Sequence, residues 1–194
     1  MDGEFIRGAE ELYWEDVRIG DEIPAIVRGP LTISDNVSFA IAWGGSFLRA
    51  HGLARDYRRT HPAAEITNAY GIPDFPECVH WDAAYAQNIG LAAPYDYGAQ
   101  RFAWMGNAVT NWMGDNGFLR RLSVKLRRFN LVGDTTWCGG RVIAKRLDRD
   151  CGSLAPAYAV DLELSGRDQR AQQTATGTAT VLLPSRSTAT GCAT

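Results

Sequence analysis

The sequence predicts an α+β fold, with an antiparallel sheet wrapped around one long central helix. Two observations carry this. Between about Ala99 and Met113, the residues Phe102, Met105, Val109, Trp112 and Met113 recur at helical spacing, which puts them on one broad apolar face. After that helix, four successive segments carry strand patterning and are joined by tight polar turns, the arrangement of antiparallel neighbours.

The elements follow in order. Residues 13–23 read as a short extended segment, a turn at Gly20 and Asp21, and the start of a second strand that runs over 22–33 to Pro30-Leu-Thr-Ile. Ser34 and Asp35 are the expected N-cap of a helix carrying Val37, Ala40 and Ile41 at helical spacing, with Phe39 and Trp43 alongside. Gly44-Gly45 stops it. Residues 46–79 are the least regular stretch, with a basic tract (Arg49, Arg55, Arg58, Arg59) and the turn-rich Gly71-Ile-Pro-Asp-Phe-Pro. So long a connection reads as a functional insertion or lid, or equally as a partly helical surface excursion.

Asp82 is placed to cap a short helix, Ala83 to Asn88, ended by Gly90. Pro94-Tyr-Asp-Tyr-Gly leads into the long helix, and Gly114-Asp-Asn-Gly ends it. Leu122, Val124 and Leu126 then alternate with Ser123, Lys125 and Arg127, as in a half-buried strand. Gly133-Asp134 turns the chain into a strand over Thr135 to Leu147, and Asp148 to Gly152 turns it into Tyr158, Val160, Leu162 and Leu164. Gln172 to Leu183 closes the sheet, with Ala175, Ala179 and Val181 inward and Thr176, Thr178 and Thr180 on the other face. Residues 1–12 read as an N-terminal extension, 13–183 as one domain with its insertion at about 46–79, and the Ser/Thr/Ala-rich 184–194 as a flexible tail.

Composition excludes several function classes. A chain of 194 residues, 45% apolar and 22% charged, suits one globular domain. Its apolar runs stop well short of the ~20 residues that span a bilayer. The acidic, mixed start lacks the basic flank and apolar core of a secretion signal, so a cytoplasmic location is expected. Cys78, Cys138, Cys151 and Cys192 form no CxxC pair and read as free thiols. His51, His61 and His80 lack zinc-ligand spacing, so no metal site is expected. A net charge of -2 gives no general attraction to nucleic acid.

His80 stands in a His-x-Asp just before a capped helix and titrates near neutrality, which suits acid–base work as well as a structural hydrogen bond. Asp82 is explained by capping alone. Asp74 and Glu77 are candidate general bases or plain surface carboxylates of a Pro-rich loop. Asp96, between Tyr95 and Tyr97 at the mouth of the long helix, is either a cap or a carboxylate favoured by the helix dipole. Trp43, Trp81 and Trp104 lie near these residues in sequence; several of them lining one site would imply a bulky ligand.

The runs YWEDVRIGDEIP and GPLTISDNVSFA, then VHWDAAYAQNIGLAAPYDYG, then LRRFNLVGDTTWCGGRV, resemble in their order the MaoC-like hydratases and dehydratases. The nearest form is the N-terminal half of the double hot-dog dehydratases, over roughly 13–183 without 46–74. The resemblance implies a single hot-dog domain that holds an acyl thioester and uses no cofactor. In that family a Gly-Asp-x-Asn-Pro-x-His-x-Asp loop binds one water between an Asp and a His, and a His-Gly pair opens the central helix. His80 matches the motif histidine, Asp82 the aspartate after it, and Gly98 the glycine whose N–H faces the thioester oxygen; Tyr97 replaces the histidine of the pair. Asp134 matches a structural turn aspartate.

The acid of the motif, five residues before His80, is Phe75 here; Asp74 is one residue further off, and Glu77 is within reach. On a second alignment Gly44-Gly45 replaces the Gly-Asp and the acid is missing. The implied activity is enoyl-CoA hydratase or 3-hydroxyacyl-CoA dehydratase. The alternatives are a non-catalytic hot-dog subunit beside a catalytic chain, or an acyl-CoA thioesterase. Implied partners are an acyl-CoA or acyl-carrier-protein thioester and, because a lone sheet leaves its edges open, a second copy or another hot-dog chain. Arg120, Arg121, Lys125, Arg127 and Arg128 are candidates for coenzyme A phosphate, or an ordinary solvated strand face.

Overall fold

The computed structural model of the chain describes residues 3–44, 48–148 and 157–189. Strand β1 (Glu22–Arg28) is followed by helices α1 (Ile33–Trp43) and α2 (His51–Thr60), then short strands β2 (Ile66–Thr67) and β3 (Pro73–Asp74). Helices α3 (Ala83–Asn88) and α4 (Gly98–Met113) come next. Strands β4 (Phe118–Leu126), β5 (Thr136–Asp148), β6 (Ala157–Asp168) and β7 (Gln173–Leu183) and the helical turn α5 (Arg186–Ala189) complete the order. These elements fall into two compact units: Met1–Arg28, Arg101–Arg128 and Thr135–Thr194 form the first, Gly29–Gln100 and Phe129–Asp134 the second.

The first unit holds a five-stranded sheet in the order β1-β5-β6-β7-β4, with every pair antiparallel. Met105, Ala108, Val109, Trp112 and Met113 of the long helix cluster with Val142, Val160, Leu162, Leu164, Ala179 and Val181 of the sheet. Each large side chain so buried contributes roughly 1.5–3 kcal/mol. The α+β class and the helix-in-sheet arrangement are those of the sequence pattern. Two members of that pattern fall outside the core: Phe102 is 43% exposed and Leu126 49%. The helix face is narrower than its apolar spacing implies, because buried Arg101 takes part of it. Its guanidinium donates to the carbonyls of Arg128 (2.5 Å) and Thr174 (3.0 Å).

Close strand approach fixes two glycines in this sheet, Gly177 of β7 against the Ser123 carbonyl of β4 and, more tightly, Gly140. A Cβ on Gly140 of β5 would collide with the Glu163 carbonyl of β6. Near the start of the unit, Trp14–Asp16 is a 3-10 turn where an extended segment was expected. Within the stretch expected to be a flexible tail, residues 186–189 are helical. Trp14 N–H donates to the Pro184 carbonyl (2.9 Å), and the Arg186 guanidinium meets both Asp16 oxygens at 2.8 and 2.6 Å. The turn at Asp148 to Gly152, Cys151, Cys192 and residues 190–194 lie largely outside the described residues. Cys78 and Cys138 are buried.

In the second unit the strand expected over 22–33 is cut short, since Gly29 has φ 129° and Pro30 carries no N–H for a ladder. The α1 cap lies earlier than Ser34-Asp35. Thr32 is the N-cap, its hydroxyl accepts from Asp35 N–H (3.1 Å), and the Asp35 carboxylate accepts from Thr32 N–H (2.7 Å). Such a reciprocal box is worth about 1 kcal/mol. Gly44, at φ 90°, ends the helix as expected; Gly45 lies outside the described residues. The Asp134 carboxylate accepts from Leu131 N–H (3.0 Å), tying its own turn. The stretch expected to be irregular contains helix α2 and the β2–β3 hairpin, which Asn68 closes by accepting from the amides of Tyr70 (3.0 Å) and Ile72 (3.1 Å).

Candidate active site

Pro76 opens a 3-10 turn, Pro76–His80, where its fixed φ suits the first position. A 3-10 helix repeats every three residues, so the side chains of Glu77 and His80 share one side of the turn. Both line a cavity of about 390 Å³ within the second unit, and Tyr97 joins them. The remaining walls are apolar: Trp43 from α1, Tyr57 from α2, and Ala64, Phe75 and Pro76 from the connections that follow.

His80 is held on several sides. Its Nδ1 lies 2.7 Å from the Tyr95 carbonyl, which can only accept, so Nδ1 carries the proton and the neutral ring keeps its lone pair on Nε2. The ring stacks on Tyr97, centroids 3.8 Å apart, and meets Tyr95 edge-on at 4.6 Å. Asn36 fixes the backbone beneath, its amide donating to the carbonyls of His80 (2.8 Å) and Tyr95 (3.1 Å). Burial lowers the His80 pKa below 6.5, opposed in part by the bond to the Tyr95 carbonyl and by the charges of Glu77 and Asp96.

Three polar atoms around this cavity are buried without a hydrogen-bond partner: both carboxylate oxygens of Glu77 and the hydroxyl of Tyr97. Burial raises the Tyr97 pKa, and Glu77 beside it raises it further, so the phenol stays protonated. The two groups are close enough for the Glu77 carboxylate to act on the Tyr97 hydroxyl both by its charge and as a weak acceptor, short of a well-formed hydrogen bond. Leaving such a group unsatisfied costs about 1–3 kcal/mol, so the cluster favours a polar partner. The Glu77 carboxylate offers acceptors, the Tyr97 hydroxyl a donor, and His80 Nε2 a basic lone pair.

The structure thus brings together His80, Glu77 and Tyr97 from the sequence-derived candidates. The others sit elsewhere. Asp74 is tied into its hairpin, accepting from the Asn68 amide (3.2 Å) and from Phe75 N–H (2.8 Å). Asp82 accepts from Tyr85 N–H (3.0 Å) as the cap of α3. Asp96 is 1% exposed, its N–H is bonded to the Asn130 carbonyl (3.0 Å), and its charge acts on His80. Gly98 is the first residue of α4, where amides have no partner within the helix. Arg127 and Arg128 belong to the first unit; Arg127 Nε donates to Thr176 Oγ1 (3.0 Å). Among the tryptophans, Trp43 lines the cavity, whereas Trp104 packs against the core of the first unit.

Sequence reading missed Asn36, Tyr57 and the wall role of Phe75. Asn36 had a signal: it lies four residues before buried Ala40, so an amide occupies the inward face of α1. Tyr57 had none, being one aromatic in a tract dominated by arginine.

No family model matches the chain, and no curated protein matches it. Solved structures do. The R-hydratase PhaJ1 from Pseudomonas aeruginosa matches at TM-score 0.65 and 17% identity, covering 92% of this chain and 89% of that one. The ChsH1–ChsH2 complex from Mycobacterium tuberculosis matches at TM-score 0.59 and 16% identity, covering 87% of this chain and 99% of that one. A MaoC-like dehydratase from Rhodospirillum rubrum matches at TM-score 0.62 and 14% identity, covering 91% and 99%. At these identities the likeness establishes the fold: the chain has the hot-dog fold that the sequence resemblance implied.

Proposed function

We propose that the chain is a MaoC-like hydro-lyase that adds water across the 2,3 double bond of an enoyl thioester, or removes it from the 3-hydroxyacyl thioester. One observation carries this reading: the unpartnered Glu77 carboxylate and Tyr97 hydroxyl share an otherwise apolar cavity with a histidine whose tautomer leaves Nε2 as the base. Neighbours described as R-hydratase and MaoC-like dehydratase on the same fold support it by analogy.

In the hydration direction a water sits between His80 Nε2 and the Glu77 carboxylate, which orients it. Nε2 takes one proton as the water oxygen bonds to the β-carbon, and the electron pair of the double bond moves towards the thioester oxygen. The Tyr97 hydroxyl, held protonated, and the Gly98 N–H at the helix start stabilise that oxyanion. The imidazolium then returns its proton to the α-carbon, so one water has been added and the enzyme is restored. Glu77 thereby replaces the motif acid whose position Phe75 occupies.

Phe75 also favours a second reading, a non-catalytic subunit that shapes the acyl cavity for a partner chain. A buried phenylalanine stands where the family acid is expected, and the ChsH1–ChsH2 neighbour is a two-protein complex. The deciding experiment is a hydration assay of the purified chain on short, long and polycyclic 2-enoyl-CoA thioesters, beside His80→Ala. Hydration that disappears in His80→Ala supports the enzyme. Its absence across the panel in a folded chain transfers the proposal to the partner subunit, and release of free thiol instead identifies a thioesterase.

A further inference from the structure

The insertion after α1 supplies much of the cavity wall: Tyr57 comes from α2, Ala64 from the turn after it, and Phe75 from the end of the β2–β3 hairpin. With Trp43 and Tyr97, this surrounds the space with aromatic rings. The wall is braced from behind. Tyr57 stacks on His61 at 4.2 Å and carries the Arg49 guanidinium over its ring at 4.3 Å. Phe75, 5% exposed, is covered by the Arg58 guanidinium at 5.0 Å, and Arg58 is anchored to Glu65 at 3.3 Å. Neighbouring residues of one helix, Tyr57 and Arg58, thus serve the cavity side and the back of the same wall.

We infer that this segment is a substrate selector, shaping the cavity for an acyl group that carries a ring, aryl or alicyclic, next to the reacting double bond. The inference rests on the thioester reading above and names its substrate class. At about 390 Å³ the cavity is near the lower end of the range for small-molecule sites. Flat rings gain from stacked or edge-on contact with aromatic walls. A ring also has fewer rotors to immobilise than an extended alkyl chain. A braced wall does not move aside for a long chain.

The test is calorimetric titration of the full-length chain with cinnamoyl-CoA, crotonyl-CoA and trans-2-octenoyl-CoA, with hydration measured on the same samples. The expected result is that cinnamoyl-CoA binds at least about tenfold tighter than either alkenoyl thioester, the scale on which apolar pockets discriminate. In Ala64→Phe, which fills the chamber, that preference collapses; Tyr57→Leu, which opens the wall, serves if the first variant does not fold. Equal binding of all three, a preference for octenoyl-CoA, or a preference that survives both variants overturns the selector. Preferential binding of cinnamoyl-CoA without hydration overturns the reaction and leaves the selector standing. Hydration of all three without preference does the reverse.

Discussion

The His80 ring lies on the ring of Tyr97, centroids 3.8 Å apart and planes 26° from parallel. The stack orients the imidazole that the Tyr95 carbonyl holds by Nδ1, and both residues line the same cavity. One turn of the chain, Tyr95 to Tyr97, therefore sets the tautomer, the orientation and the neighbouring donor of a single base.

The pH dependence follows from the lowered His80 pKa. In the proposed mechanism the base works while neutral, so the acidic limb of kcat/KM is expected below pH 6.5, the ordinary value. Stability has the corresponding sign. The folded state binds this proton less readily than the unfolded chain, so stability is full above the unfolded pKa and falls as pH drops from about 6.5 towards the folded value. Urea unfolding at a series of pH values should show a steeper acid loss for the parent chain than for His80→Gln.

Asn36→Leu is expected to cost roughly 1–3 kcal/mol, since it leaves the His80 carbonyl without its donor in a buried setting and the Tyr95 carbonyl with the His80 Nδ1–H in place of two donors. Urea denaturation measures the loss. In the fraction that remains folded, kcat should fall more than KM rises, because in the proposed mechanism Asn36 positions the base from outside the cavity lining.

How far the sequence revealed the site depends on distance along the chain. His80, Tyr97 and Gly98 lie within one short stretch and the resemblance picked them out together, while Glu77 entered only by its nearness to His80. Asp74 was a candidate by proximity alone; its bonds to Asn68 and to Phe75 N–H are hairpin chemistry that spacing does not reveal. Asn36 and His80 are separated by 44 positions, and their bond exists only once α1 packs on the turn. The sheet was legible because its strands alternate strongly and follow one another. Helix α2 was not, because Ala50 gives it no side-chain cap and arginines dilute its apolar positions. The edge at Arg28 was misplaced for a backbone reason, the positive φ of Gly29.

Cys78 should be chemically inert in the folded chain. It is 1% exposed, and its thiol is pushed up to about 11, by burial first and then by the charges of Asp74 and Asp82. Iodoacetamide labelling at about pH 8, followed by peptide mass spectrometry, should leave Cys78 unmodified until denaturant is added, since the thiol stays protonated there.

Gly140→Ala is expected to destabilise the first unit severely, by more than about 3 kcal/mol, because the added carbon meets backbone and not a movable side chain. The loss of the thermal transition, or its shift to much lower temperature, checks this by circular dichroism.

The most direct test of the central claim is hydration of an enoyl-CoA in water labelled with oxygen-18, for the parent chain, His80→Ala and Glu77→Gln. The account predicts one labelled oxygen at C3 of the product from the parent chain. It predicts loss of that product in His80→Ala, and a fall of about 10²-fold or more in Glu77→Gln, within the range for a positioned acid–base group. Label incorporation that persists unchanged in both folded variants would contradict the assignment of His80 and Glu77 as the pair that holds the water.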